Sequence, residues 1–256
     1  MIGTWWRRRR DARTLAKRAI PDPLWQLTLA RFPFIGQRSE ADRQRLRELS
    51  TLFLADKEFA GMQGLVVDDA MAVAIAAQAC LPILHLGLAS YAAFKGIVVH
   101  PDAVVARRVV TDDDGVVHHY EEELAGEAME GGPVMLSWHD VAEAGESAAW
   151  GYNVVIHEFA HVLDMRDGVP DGVPLLADRA ARERWLAVLE PQWLDFCARV
   201  DAGEETLLDP YGAEAIDEFF AVASEVFFVD PHALRGEHPA LYELFSAYYR
   251  QDPAGA

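Results

Sequence analysis

Residues 153–164 read Asn-Val-Val-Ile-His-Glu-Phe-Ala-His-Val-Leu-Asp, and this segment decides which fold the chain is expected to have. Its apolar residues predict a buried helix from about Trp150 to Asp167-Gly168, where the glycine ends it. His157 and His161 are four residues apart, so an α-helix places both imidazoles on one face, where they can reach the same ion. Two imidazoles and a carboxylate in so apolar a helix are costly without partners, and a metal ion supplies one.

Glu158 directly follows His157, and this position indicates a general base and not a third metal ligand. It cannot easily share an ion with His157, but it can take a proton from a water molecule that attacks a substrate. The H-E-x-x-H arrangement of metalloproteases has this form, with neutral imidazoles as zinc ligands and the glutamate as general base. We therefore predict a peptide hydrolase with one zinc ion per chain. Asp164, on the same face, either accepts a hydrogen bond from a ligand histidine or faces water.

A catalytic zinc has three protein ligands and one open position, so a third ligand must come from another part of the chain. The apolar helix predicted over residues 213–229 is the better source, because His232 and His238 lie in a proline-containing connection. Three glutamates fall on one face of that helix: Glu214, Glu218 and Glu225. Their spacing alone does not separate the ligand from the other two.

The remaining pattern predicts helices at both ends of the chain and a small sheet between them. One helix runs over residues 39–57 with Ser39 as its N-cap, and Asp68 or Asp69 caps the next. Strands are predicted at residues 96–100, 104–110, 116–122 and 133–138, with a hairpin turn at Asp112-Asp113-Asp114-Gly115. This order predicts an α+β fold with a small mixed or antiparallel sheet packed with helices. By analogy with other zinc peptidases, we expect the strand near residues 134–138 to pair with an extended substrate.

The N-terminal part differs from the rest of the chain. Residues 1–38 contain the basic run Arg7–Arg10 and the three prolines Pro21, Pro23 and Pro33. These residues predict an irregular basic leader in front of a single metallopeptidase domain at residues 39–256. No apolar run follows the arginines, so a secretory signal is not indicated and we expect a cytoplasmic protein.

Charge and hydropathy restrict the partners. The formal net charge is −18, and so negative a surface repels phosphate backbones, which excludes nucleic acid as an expected partner. Residues 70–94 lack charged side chains over a length that could span a bilayer. They are rich in alanine and interrupted by Pro82 and Gly87, so we predict two buried helices and no integral membrane association. The two cysteines, Cys80 and Cys197, are far apart and suggest neither a disulfide nor a metal site.

Several segments together resemble the Mlc titration factor A family of zinc peptidases. They are HEFAHVLD at 157–164, Asp209-Pro210-Tyr211, DEFFAVASE at 217–225, Gln251-Asp252-Pro253 and LPILHLGL at 81–88. The resemblance covers most of residues 40–253 and implies a zincin-like, gluzincin-type site of two histidines and a glutamate. Matched by position, it makes Glu218 the third ligand, Glu225 a residue behind the ligands, and Tyr211 an active-site tyrosine. Residues 1–38 match nothing in this resemblance.

The function expected from these residues is zinc-dependent hydrolysis of peptide bonds, aminopeptidase-like on short peptides. Tyr211 would donate a hydrogen bond to the oxyanion of the tetrahedral intermediate, unless it is only a structural tyrosine before a helix. The family name implies titration of a transcriptional repressor, so a regulatory binding protein with weak hydrolysis is an alternative. Two others are a hydrolase of non-peptide amides or esters and a purely structural zinc. Glu158 argues against the last, because a closed structural site needs no base.

Overall fold

A computed structural model describes residues 2–111 and 117–255, with the backbone alone for residues 2–5, 7, 8, 106–111 and 117–123. The hairpin turn predicted at residues 112–115 lies outside the described residues. The helices of the described part are α1 Ile2–Arg18, α2 Asp22–Arg31, α3 Pro33–Gly36, α4 Glu40–Asp56, α5 Asp69–Cys80, α6 Trp138–Ser147, α7 Val154–Asp164, α8 Arg179–Asp201, α9 Ile216–Val229, α10 Pro231–Glu237 and α11 Pro239–Tyr249. Its strands are β1 Glu58–Gly61, β2 Gly96–His100, β3 Val104–Thr111, β4 Val117–Leu124, β5 Gly126–Ala128 and β6 Val134–Ser137.

The strands form a four-stranded mixed sheet and a separate antiparallel pair, β3 and β4. In the larger sheet the order is β1-β2-β6-β5, with β1, β2 and β6 parallel and β5 antiparallel to β6. The predicted α+β fold with a small mixed sheet is confirmed. The prediction that residues 134–138 bind an extended substrate is wrong, because β6 is already paired with β2 on one side and β5 on the other. The edge on that side of the sheet belongs to β5.

The prediction of an irregular N-terminal segment is also wrong, because α1, α2 and α3 occupy most of it. The prolines begin helices here instead of breaking them. Pro21 is the N-cap of α2, Pro23 lies in its first turn, and Pro33 is the first residue of α3. A proline in the first turn removes an N–H that would lack a helical partner in any case, so it favours the start of a helix. The domain boundary at residue 38 stays a prediction.

Local signals predicted several helix boundaries correctly. The side chain of Ser39 accepts a hydrogen bond from Asp42 N at the start of α4, and Asp68 accepts one from Met71 N at the start of α5. Of the two buried helices expected in residues 70–94, only α5 is an α-helix, and it ends before Pro82. Turns and one short 3-10 helix, Leu88–Tyr91, follow it. None of the described helices combines the length and the apolar character needed to cross a membrane.

Helices α7 and α9 pack against each other in the core, and this contact positions the site. Phe159, on the face of α7 opposite the histidines, lies in a cluster of buried aromatic rings. Its ring centroid is 4.9 Å from that of Tyr91 and 5.8 Å from that of Phe53. On α9, Phe220 packs edge-on against Trp185 and Phe245. Each helix is therefore held through the face that points away from the histidines and glutamates.

Candidate metal centre

The structure brings together the three side chains that were predicted to hold a metal. Nε2 of His157 lies 3.1 Å from Oε2 of Glu218, and Nε2 of His161 lies 3.2 Å from the same oxygen. The two Nε2 atoms are 3.2 Å apart. His157 and His161 are one turn apart on α7, whereas Glu218 reaches the same point from the first turn of α9. The three donor atoms thus form a nearly equilateral triangle.

The size and chemistry of this triangle fit a small divalent cation. A tetrahedral zinc ion with bonds of about 2.0–2.1 Å to nitrogen and oxygen separates its ligand atoms by about 3.3 Å. Two histidines and one glutamate are also a known donor set of catalytic zinc sites, with one position left open. When no ion is bound, the glutamates around His157 favour the protonated form of its imidazole. Burial lowers the pKa of His157, but hydrogen bonds to Glu218 and Glu225 outweigh it, so that this pKa is raised well above its usual value.

Glu225 lies behind His157, on the side away from the triangle. Its Oε1 is 2.8 Å from Nδ1 of His157, and its Oε2 accepts a hydrogen bond from the backbone N–H of Asn153. A neutral His157 that donates its Nδ1 proton to Glu225 has its Nε2 lone pair free for an ion. Glu225 and Glu218 therefore contact opposite nitrogens of the His157 ring.

Glu158 lines a cavity that opens beside the triangle. The cavity has a volume of about 220 Å³, and its lining includes Tyr152, His157, Glu158 and Tyr211. Glu158 is only 5% exposed, and burial raises its pKa to about 7. A carboxylate that takes and returns protons near neutral pH is well suited to general acid–base chemistry. Glu158 and His157, one corner of the donor triangle, thus face the same cavity.

The backbone of β5 packs directly against the side chain of Glu158. A Cβ atom built on Gly126 would lie 2.6 Å from Cγ of Glu158, far inside van der Waals contact. Only a residue without a side chain therefore leaves the room that this rotamer of Glu158 occupies. We expect Gly126→Ala to displace the Glu158 carboxylate and to lower kcat/KM for peptide cleavage by about tenfold to hundredfold, because small misplacements of reacting groups are costly.

The Gly126→Ala prediction has a matched control on the surface. A Cβ atom built on Gly236, in α10, would have no heavy atom within 4 Å, so Gly236→Ala should leave the rate unchanged. Steady-state kinetics of both variants, with zinc content measured on the same samples, would check the difference. Wild-type activity in Gly126→Ala would contradict the placement of Glu158 against this strand.

Tyr211 also lines the cavity, in the 3-10 turn Pro210–Ala213 that precedes α9. Its ring centroid is 6.0 Å from that of His157, and the residue is 38% exposed. The side chain of Asp209 accepts a hydrogen bond from Tyr211 N and so fixes the start of this turn. A hydrogen-bonding role for the phenol in the reaction stays a prediction.

Neither expectation for Asp164 agrees with the structure. Its side chain is fully buried, so it does not face water at the helix end. Its Oδ2 accepts a hydrogen bond from Gly172 N at 2.9 Å, and Oδ1 has no hydrogen-bond partner among the described residues. Burial raises the pKa of Asp164 to about 7. Asp164 therefore ties the end of α7 to the loop before α8 and does not orient a histidine.

Sequence reasoning missed three residues that belong to the surroundings of the site. Gly126 and Tyr152 line the cavity, and Gln78 hydrogen-bonds to Asn153, whose backbone N–H contacts Glu225. Gly126 and Tyr152 carry no pattern that would have indicated them. Gln78 did carry a signal, because it is a lone amide in a run of apolar residues.

Comparison with known proteins agrees with this geometry. The sequence model of the family described as "Glucose-regulated metallo-peptidase M90" matches residues 4–250, which include the N-terminal helices. The protein slr2042 of Synechocystis is 37% identical over 241 residues, which cover 93% of this chain and 87% of that protein. Mlc titration factor A of Yersinia pestis is 32% identical over 224 residues, 86% of this chain and 82% of its own, and that of Yersinia pseudotuberculosis matches equally. With a match over nearly its whole length, the chain belongs to the M90 family of metallopeptidases.

Proposed function

We propose that this protein is a gluzincin-type zinc peptidase in which His157, His161 and Glu218 hold one zinc ion and Glu158 is the general base. The observation that carries the proposal is the triangle of donor atoms, with sides of 3.1–3.2 Å, beside a cavity that Glu158 lines. Zinc held there would act as a Lewis acid that lowers the pKa of water to about 7 and polarises the substrate carbonyl.

In this proposal Glu158 carries out both proton transfers and Tyr211 stabilises the oxyanion. Glu158 accepts a proton from the attacking water and then donates it to the leaving amine, so its carboxylate returns to its starting state. The phenol of Tyr211 donates a hydrogen bond to the oxyanion that forms on the former carbonyl oxygen. Burial of Glu158 supports its role, because a carboxylate with a raised pKa is the stronger base for the first transfer.

The edge strand β5 is the surface that we propose for the substrate backbone. Its inner edge pairs with β6, and Leu124, Ala125 and Gly126 line the cavity at its start. An extended peptide can add to such an edge through backbone hydrogen bonds, which places its scissile bond near Glu158. Aminopeptidase-like action on short peptides is the specificity that we propose for this cavity of about 220 Å³.

A metal analysis paired with peptide cleavage tests this proposal. We expect the purified protein to bind about one zinc per chain and to cleave short peptides. A chelator should abolish cleavage and added zinc should restore it. Peptides with free or blocked amino termini would separate aminopeptidase from endopeptidase action, and a matched ester panel would reveal non-peptide hydrolysis. A zinc-loaded chain that cleaves no peptide, or a zinc-free chain that cleaves at the full rate, would contradict the proposal.

A second function is supported by the relatives named Mlc titration factor A, since their name describes titration of another molecule. We propose on this ground that the chain also binds a transcriptional repressor. Binding of this kind does not need the general base. Capture of a repressor by the Glu158→Gln variant as strongly as by the wild type would support a separate binding function, whereas no capture by either would exclude it.

A further inference from the structure

Gln78 is a buried amide in a helix that is otherwise almost entirely apolar. It is fully buried, as are Ala76, Ala77 and Ala79 around it in α5. Burying an amide costs about 1–3 kcal/mol unless its polar atoms are hydrogen-bonded. Nε2 of Gln78 donates to the carbonyl of Ala74 at 3.2 Å, and Oε1 accepts from Nδ2 of Asn153 at 2.8 Å. The contact with Asn153 is therefore what makes a glutamine acceptable at this place.

Besides its carbonyl, which accepts from His157 N, Asn153 uses three polar groups at once, and together they fix its orientation. Its side-chain oxygen accepts from Ile156 N at 2.9 Å and so caps α7. Its backbone N–H donates to Oε2 of Glu225. Because the side-chain oxygen is engaged by the cap, the amide nitrogen must point to Gln78, which must in turn present its oxygen. The orientation of both amides follows from the hydrogen bonds that surround them.

The chain of contacts continues to the proposed metal site. Oε1 of Glu225 is 2.8 Å from Nδ1 of His157, whose Nε2 is one corner of the donor triangle. Gln78, Asn153 and Glu225 are each at most 2% exposed, so water does not compete for these hydrogen bonds. In such surroundings hydrogen bonds are strong, and a missing partner is costly. An unbroken polar path thus leads from α5 to a residue on α7 that forms one corner of the donor triangle.

We propose that Gln78 is a positioning residue for His157, acting through Asn153 and Glu225. Gln78 holds the Asn153 side chain, Asn153 holds Glu225 through its backbone N–H, and Glu225 holds the Nδ1 proton of His157. The path keeps the Nε2 lone pair of His157 directed at the ion before the ion binds. The inference rests on the zinc site of the proposed function, to which it adds a residue of α5 that touches neither the ion nor the substrate cavity.

The test removes the acceptor oxygen of Gln78 and measures metal binding. Gln78→Met keeps the length and volume of the side chain but leaves Nδ2 of Asn153 without a partner. We expect zinc affinity, measured by competition with a chromogenic chelator, to fall about threefold to tenfold. That is less than the roughly 10–100-fold typical of a group that contacts a ligand histidine directly. We also expect the visible absorption spectrum of the cobalt(II)-loaded protein to change, since it reports the geometry of the ligands.

Three further variants separate positioning from general destabilisation. Asn153→Ser keeps a hydroxyl to cap α7 but breaks the link to Gln78 from the other end, so it should weaken zinc binding to a similar degree. Gln78→Glu, protonated in this buried place, retains both hydrogen bonds and should keep affinity within about twofold of wild type. Ser224→Ala is the matched control. Ser224 is fully buried next to Glu225 in sequence, but its hydroxyl contacts Phe220 O and Tyr249 OH instead.

The outcomes are distinguishable. Weaker zinc binding and an altered cobalt spectrum in Gln78→Met and Asn153→Ser, with neither change in Gln78→Glu or Ser224→Ala, would support the inference. Unchanged affinity in both link-breaking variants, or an equal loss in Ser224→Ala, would overturn it while the zinc site stands. A wild-type chain that binds no zinc would overturn the proposed function itself.

Discussion

Glu158→Gln is expected to lower kcat/KM for peptide cleavage by about 10²–10⁴-fold while the zinc content stays at the wild-type level. Glutamine has nearly the shape of glutamate, so it fits the space against Gly126, but its amide cannot accept the proton of the attacking water. The three donor atoms of the triangle belong to other residues and are not disturbed. Steady-state kinetics on a short peptide, with metal analysis of the same sample, measure both effects.

The stability of the Glu158→Gln variant gives a second, independent readout. The pKa of Glu158 is raised by burial, so the ionised carboxylate is a cost to the folded state. Removing the charge should therefore leave the thermal midpoint at or above that of the wild type. Glu143→Gln, at an exposed position of α6 outside the cavity, is the control for a simple loss of charge and should change neither activity nor zinc. Full activity in Glu158→Gln would exclude the general-base role.

The parts of the site that could be predicted from sequence are those set by spacing within one element. Two histidines four apart in an apolar helix must share a face, and the structure places their Nε2 atoms 3.2 Å apart. The caps Ser39 and Asp68 were recognisable for the same reason, because each acts on a backbone N–H only three residues away. Local geometry of this kind does not depend on the rest of the fold.

The choice of third ligand could not be made from the residues alone, because it depends on how α9 packs against α7. Glu214 lies ahead of the first residue of α9, so its predicted place on that helix face does not exist. Glu218 and Glu225 are two turns apart on one face, as predicted, and both contact His157. Their positions along the helix axis decide which ring nitrogen each one meets.

The short strands were missed for a different reason. β5 has three residues and β1 has four, too few for an alternating pattern to be recognised. Their existence depends on pairing with β6 and β2, which are distant in sequence. The N-terminal helices were missed because a proline indicates either the end of one helix or the start of the next.

Glu218 and Glu225 both contact His157, but replacing each of them by alanine should produce a different defect. Glu218→Ala removes one corner of the donor triangle, so zinc affinity should fall well beyond the roughly 10–100-fold that loss of an outer hydrogen-bond partner costs. Glu225→Ala leaves the triangle complete and should weaken zinc by about 10–100-fold. Chelator competition on both proteins measures the ratio, and the reverse order would mean that the ligand is misassigned.

The metal-free proteins should show the opposite ranking in stability. Glu225→Ala leaves the backbone N–H of Asn153 and Nδ1 of His157 buried without their partner, at a cost of about 1–3 kcal/mol for each group. The Glu218 side chain is 19% exposed, so in Glu218→Ala water can replace part of the hydrogen bonding that the carboxylate gave the two histidines. Denaturant unfolding in the presence of a chelator should therefore find Glu225→Ala the less stable variant. If the same substitution caused both the larger loss of zinc affinity and the larger loss of metal-free stability, the assignment of Glu218 as ligand and Glu225 as supporting residue would be wrong.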